Sequence, residues 1–182
     1  MPGFSDSGDS CLPSPDDSTT LIPDSAVFIV PRDGRLAPGG YHTCFLAPSD
    51  GPATCMGYNT AGESTPPADQ SFAALASGDY HSCGILQKNN TVRCWGDNIY
   101  GQSTPPAGVA FSQISAGSDY TCGVRAADHN AQCWGASSFE KANPPGGVSF
   151  SQIVTLSDYA CGIQSDDGAI VCWGGVTRNL WR

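Results

Sequence analysis

Positive charge is scarce in this chain: eight Lys and Arg against 17 Asp and Glu in 182 residues leave a net charge of −9 and a pI near 4.4. The eight basic residues are scattered, and phosphate binding draws on a concentrated basic face, so no nucleic acid is expected as a partner. Long hydrophobic runs are missing as well. With no stretch of about 18 apolar residues, no direct insertion into a membrane is expected. Met1 to Asp9 do not show the basic segment followed by an apolar one that marks a secretory signal; the expectation is that it was removed or that the chain is a piece of something longer. No glycine-rich phosphate loop follows a strand and opens a helix.

Cysteine, by contrast, is abundant and ordered. Eight of the nine cysteines fall in four pairs: Cys44, Cys83, Cys122 and Cys161 are 39 residues apart, and Cys55, Cys94, Cys133 and Cys172 each follow 11 later. A fixed period between 20 and 50 residues means a repeat architecture, in which each unit buries its apolar face only by stacking on its neighbours. Two cysteines 11 apart, flanked by β-type residues with turn formers midway, are placed to face each other across a hairpin, where a disulfide closes with acceptable geometry. Eight reduced, buried thiols are the plain alternative. Zinc is the other, although its sites usually use closer Cys-x-x-Cys pairs, and no metal is expected. Each bridge over so short a loop would contribute about 2 to 3 kcal/mol, and an oxidising compartment follows if the bridges form. Cys11 is left over and is the candidate for joining chains.

Residues 1–25, rich in Ser, Asp, Pro and Gly, read as a disordered acidic tail, because too few apolar groups are present to offset the entropy of ordering. Ala26 to Val30 is a β-branched run ended by Pro31; it reads equally as an outer strand or as an apolar patch under a loop. The repeat domain spans 26–182, with repeats at about 33–71, 72–110, 111–149 and 150–182.

Each repeat reads as three strands. The first runs Phe72 to Ala76, Phe111 to Ala116 and Phe150 to Thr155 and leads to Gly39, Gly78 or Gly117, a glycine expected to permit a tight turn. The second alternates around its cysteine, as in His81-Cys83-Ile85 and Tyr120-Cys122-Val124. Turn chemistry follows, at Pro48 to Gly51, Lys88 to Asn90, Asp128 to Asn130 and Asp166 to Gly168. The third carries the second cysteine and then Met56, Trp95, Trp134 or Trp173. Apolar residues on both strand faces fit a blade held between two other blades. A connector of about a dozen residues, fullest at Asp97 to Pro106, leads to the next repeat, so that the loop before the second strand and the start of the connector share one end of the molecule.

Cys-Gly-Ile/Val followed by Cys-Trp-Gly-x-Asn-x-x-Gly-Gln and Pro-Pro resembles the repeat of the regulator of chromosome condensation superfamily over roughly residues 33–174. The short, cysteine-paired version is similar to the repeats of crinkly-type receptor kinase ectodomains and, more distantly, to the blades of β-lactamase inhibitory protein II. The resemblance implies an all-β fold, a β-propeller of three-stranded antiparallel blades, partial or four-bladed here, binding other proteins through loops at one end; it implies no shared activity. Met56 departs from the pattern where tryptophan is expected, Leu156 where the turn glycine is, and Phe139-Glu140 stands where Tyr100-Gly101 stands one repeat earlier. Four blades in an open arc would expose apolar faces at both ends, so a fragment, a ring completed by self-association or a further chain, or a small closed propeller is expected.

Candidate catalytic residues do not converge. His42 and His81 share a repeat position with tyrosines and read as packing groups, and His129 falls on a hairpin tip. No catalytic residue, enzyme activity or cofactor is therefore expected. Asp79-Tyr80, Asp119-Tyr120 and Asp158-Tyr159 recur before the second strand, Tyr41 matches in part, and Asn98, Tyr100 and Phe139 should lie nearby. Aromatics beside acids suit a protein-binding patch; lining of a central channel is the alternative. Asn89-Asn90-Thr91 is a glycosylation sequon on a hairpin tip. The residues thus favour an extracellular, non-catalytic recognition or assembly module with an unidentified protein partner. Next comes an inhibitor-like or exchange-factor-like propeller on an enzyme or GTPase, and last an enzyme.

Overall fold

The computed structural model of the chain describes residues 35–47 and 52–175. The expected tail, Cys11, the Ala26 to Val30 run and the turn at Pro48 to Gly51 lie outside them. Among the described residues, twelve strands form four separate three-stranded antiparallel sheets. The first blade holds β1 (Leu36–Pro38), β2 (His42–Leu46) and β3 (Ala53–Gly57). The second holds β4 (Phe72–Ser77), β5 (His81–Leu86) and β6 (Val92–Gly96). The third holds β7 (Phe111–Ala116), β8 (Tyr120–Arg125) and β9 (Ala131–Gly135). The fourth holds β10 (Phe150–Thr155), β11 (Tyr159–Gln164) and β12 (Ile170–Gly174). Each blade pairs its strands in sequence order, as expected of a hairpin followed by a third antiparallel strand.

The cysteines stand opposite each other in the middle and last strands and are bonded as Cys44–Cys55, Cys83–Cys94, Cys122–Cys133 and Cys161–Cys172. Strand alternation sends each disulfide to one face of its blade and, in blades 2 to 4, the phenylalanine and tryptophan to the other. Stacking joins the two kinds of face. Ala37, Cys44, Leu46 and Ala53 of blade 1 pack on Phe72, Leu75, Leu86 and Trp95 of blade 2. Cys83, Ile85, Val92 and Cys94 of blade 2 meet Phe111, Ile114 and Trp134 of blade 3, and Cys122 and Val124 of blade 3 meet Phe150, Ile153 and Trp173 of blade 4. In blades 2 to 4 the phenylalanine and tryptophan rings lie 5.5 Å apart.

Each of the three tryptophans among the described residues is tied by its indole to the repeat before it. Nε1 of Trp95, Trp134 and Trp173 donates to the carbonyl oxygens of Glu63, Gln102 and Lys141 at 2.9, 3.0 and 3.1 Å. A buried indole N–H needs such a partner, and Met56 in blade 1 makes no such demand. The phenylalanine rings of β4, β7 and β10 lie over Gly84, Gly123 and Gly162, where any Cβ would run into the ring. Blade 1 departs from this arrangement in its sequence, with Phe45 at the glycine place and Asp33 at the phenylalanine place.

Gly39, Gly78 and Gly117 turn out to be required for a reason other than conformational freedom. Their φ angles are not in the left-handed region. Instead, a Cβ on Gly39, Gly78 or Gly117 would meet the backbone carbonyl oxygen of Gly78, Gly117 or Leu156 respectively, well inside contact distance. The turns therefore stack on one another around the centre. Leu156, in the fourth copy, stands exposed with no such turn against it among the described residues. The outer face of blade 4 is open in the same sense, exposing Val154, Ile163 and Ile170, and blade 1 exposes Leu36 and Met56.

Candidate functional site

His42 pairs with Gly57, and the amide of Tyr58 donates to the carbonyl of Tyr41 at 3.0 Å. The loop before the second strand and the exit of the third thus lie at one end, as the strand order requires, and the same bond recurs from Asp97 to Tyr80 (2.8 Å) and from Ala136 to Asp119 (3.0 Å). The connectors cross this end. In the first two, Asn59 and Asn98 hold the loop closed, the Asn98 side-chain oxygen accepting from the Ser103 amide at 3.0 Å and the Thr104 hydroxyl at 3.1 Å. Asn98 is thus a loop-forming residue at the place expected to meet a partner.

Aromatic rings gather where blades 1 and 2 meet at this end. Tyr41 and Tyr80 stack with centroids 4.9 Å apart and an interplanar angle of 22°. Tyr58 stands 6.2 Å from Tyr41 and 6.1 Å from Tyr80, the latter in an edge arrangement. All three are exposed, at 57, 48 and 38 % for Tyr41, Tyr58 and Tyr80. A hydrogen bond with Tyr41 pushes the Tyr80 phenol up from its ordinary value, ahead of desolvation and the nearby Asp79. The Asp79 carboxylate lies over Gly40, where any Cβ would meet it. Ile99, Tyr100 and Phe139 are exposed on the connectors. Phe139 and Glu140, in a single 3-10 turn at Ser138–Glu140, both have left-handed backbone with φ of 56° and 60°. Non-glycine residues rarely adopt it, and Gly62 and Gly101 occupy the Glu140 place in the earlier connectors.

The Asp-Tyr pairs do not align as the sequence suggested. Counted from the first cysteine, Tyr41, Tyr80, Asp119 and Asp158 share one place, and His42, His81, Tyr120 and Tyr159 share the next. Tyr120 is accordingly a correction to the expected binding set: it is fully buried and its hydroxyl donates to the Tyr159 carbonyl at 2.6 Å. Burial pushes that phenol far up. The histidines in the same place are buried links between blades, His42 Nε2 to Ser82 Oγ at 2.6 Å and His81 Nε2 to Thr121 Oγ1 at 2.8 Å. The next blade offers Ala160 where Ser82 and Thr121 stand, which explains why the longer tyrosine replaces histidine and reaches backbone instead. Desolvation lowers the His42 imidazole, and desolvation followed by the neighbouring His42 charge lowers His81 to about 4.

Asp119 and Asp158 serve a buried cation. Lys141, on the third connector, lies 2.6 Å from Asp119 Oδ1 and 3.4 Å from Asp158 Oδ1, donates to the Ser157 carbonyl, and sits 5.3 Å from the Tyr120 ring centroid. Glu63 holds the equivalent place in the first connector; it is fully buried, with Oε2 accepting from the Ala61 amide at 2.8 Å and Oε1 without a hydrogen-bond partner.

The central turns line a depression of about 180 Å³ in which Asp79 is the ionisable side chain. Among the described residues, no group of three or more His, Cys, Asp or Glu is placed to hold a metal ion. Asn89 is exposed on its hairpin tip, and the Thr91 hydroxyl donates to its side-chain oxygen at 2.9 Å. Sequence reasoning missed Tyr58, which has Asp97 and Ala136 at its repeat place and so carries no periodic signal; folding the hairpin on paper would have set it beside Tyr41.

Residues 72–102 match the regulator of chromosome condensation (RCC1) repeat. No curated protein matches the chain in sequence. Among solved structures, the entire ectodomain of the Physcomitrella patens receptor kinase CR4 is 31 % identical with a TM-score of 0.69, over 76 % of this chain and 38 % of its own. The crinkly ectodomain of the Arabidopsis thaliana receptor kinase ACR4 is 30 % identical with a TM-score of 0.69, over 76 % of this chain and 49 % of its own. Prp20p of Saccharomyces cerevisiae, at 19 % identity and a TM-score of 0.60 over 76 % of this chain and 43 % of its own, shares the fold. The chain thus spans less than half the length of each of these structures. One of its recurring units thus matches the regulator of chromosome condensation repeat, and its four disulfide-bearing blades are propeller blades similar to those of the crinkly-type ectodomains.

Proposed function

We propose that this chain is a non-catalytic, extracellular protein-recognition or assembly module that meets its partner with the connector end of its blades. The observation that carries this reading is the gathering there of six exposed large apolar or aromatic side chains, Tyr41, Tyr58, Tyr80, Ile99, Tyr100 and Phe139. Soluble proteins spend little surface in this way, and tyrosines in particular dominate the energetics of protein interfaces. The left-handed backbone at Phe139 supports it, because strain that keeps an exposed ring in place is retained where the ring has a use. Four disulfides support an oxidising compartment, as does similarity to receptor ectodomains. The inhibitor-like or exchange-factor-like alternative has the fold on its side, since the Prp20p structure was reported with binding to Gsp1p and histones, but not the disulfides. The tail at 1–25, the ring's completion by another chain and an intermolecular role for Cys11 belong to the same proposal, as does glycosylation at Asn89.

Site-directed photo-cross-linking tests it. A photoreactive residue at Tyr100 or Phe139, in the protein secreted by its own cells, is expected to capture one protein, whereas the same residue at Asn90 on the hairpin tip captures none. Capture at the tip alone, or at neither end, would overturn the reading. On the same samples, Asn89→Gln is expected to remove one glycan mass.

A further inference from the structure

The three tyrosines at the junction of blades 1 and 2 have a chemistry that a generic apolar patch lacks. Tyrosine ring faces carry negative potential and attract a cation. Here two rings stack, a third stands at an angle to them, and all three residues are exposed. The charge around them is one-sided. Glu63, Asp79, Asp97, Asp119, Glu140 and Asp158 lie at the connector end, where Lys141 is the lone lysine or arginine among the described residues, and Asp119 and Asp158 hold it. Lys88, Arg93 and Arg125 lie toward the hairpin tips.

Comparison between repeats says what such a place accepts. On the third connector the cation is internal: the buried Lys141 ammonium lies near an aromatic face and between two carboxylates. On the first connector the equivalent residue is Glu63, and the places of Asp119 and Asp158 are taken by Tyr41 and Tyr80. The sign of the internal residue is reversed, and one Glu63 carboxylate oxygen is buried without a partner. At their connector end, blades 1 and 2 thus present aromatic rings and negative charge with no lysine or arginine among the described residues there.

We propose that Tyr41, Tyr58 and Tyr80, with the Asp79 carboxylate beside them, seat a cationic side chain of the bound protein, an arginine or a lysine. The proposal rests on the recognition reading above and names the chemistry of the contact. Its test uses the full, oxidised chain with 13C-labelled tyrosine rings, titrated with N-acetyl-arginine amide and with the neutral isostere N-acetyl-citrulline amide. Arginine is expected to shift the ring signals of the three tyrosines saturably, and citrulline is not. Tyr80→Leu should weaken arginine binding about tenfold, and Tyr80→Phe, which keeps the ring, should preserve it. Equal shifts with citrulline, or arginine binding unchanged in Tyr80→Leu, would overturn the seat. Cross-links confined to the connector end alongside such a result would leave the recognition reading standing; their absence would remove both.

Discussion

His81 shows how a single residue in this repeat is fixed by what the next blade offers. Its imidazole is fully buried, bonded to Thr121 and held down to about pH 4 by desolvation and by His42, against the opposing pull of Asp119 and Asp97. The folded state therefore binds the His81 proton less readily than the unfolded chain. The stability this contributes is complete above pH 6.5 and is lost as pH falls from there toward 4, by about 3 kcal/mol in all; His42 acts in the same direction. Melting temperature is accordingly expected to fall between pH 7 and pH 4.5, and His81→Gln, which cannot titrate, should flatten that slope. Parallel slopes in the two proteins would contradict the assignment. At this scale much was legible from periodicity, and the exceptions are instructive. The buried tryptophans and the packing role of His42 and His81 followed from their recurrence in register. Tyr120 did not, because it resembles Tyr80 in its neighbour Asp119 while sitting one place further along, on the inward side of the strand. Tyr58, Phe45 and Glu63 have no repeat signature at all, since each differs from its counterparts, and only their surroundings in space reveal what they do.

At the scale of the element, a blade is two unlike faces joined by a disulfide. One face carries the bridge, the other a phenylalanine laid over glycine and a tryptophan tied to the preceding connector. Gly123→Ala would drive a methyl group into the Phe111 ring, and overpacking of this kind costs about 1 to 3 kcal/mol. Gly146→Ala, where no atom lies within 4 Å, should leave stability unchanged. Thermal denaturation of the two variants distinguishes them, and equal melting temperatures would show that the ring does not hold its place. Removing one staple through the double change Cys122→Ala and Cys133→Ala should cost about 3 kcal/mol, read as a lower denaturant midpoint with the fold retained. The strands and bridges were readable because the hairpin geometry is written in the 11-residue spacing. The stacking of Gly39, Gly78 and Gly117 was not, because the atoms that exclude a side chain there belong to another repeat.

Across the whole molecule, several departures from the repeat lie at its two open faces, Met56 and Phe45 on blade 1 and Leu156 on blade 4, whereas Ala160 is buried between blades 3 and 4. A side chain at Leu156 lies where each inner interface needs a glycine, so a further blade could not seat against that turn as one inner blade seats against another. Val154, Ile163 and Ile170 remain exposed on that face among the described residues. The connector end stands apart from both faces in its composition, with its tyrosines, its acids and its strained Phe139. The account as a whole depends on the oxidised state of the blades, because the disulfides support both the stacking and the extracellular setting in which the connector end would meet a partner. Intact mass after alkylation without reduction, set beside the reduced and alkylated protein, tests this most directly. Cys44, Cys55, Cys83, Cys94, Cys122, Cys133, Cys161 and Cys172 are expected to resist alkylation until reduced. Reaction of all nine cysteines without reduction would contradict the bridges, remove the support for an extracellular module, and bring an intracellular, exchange-factor-like propeller to the front.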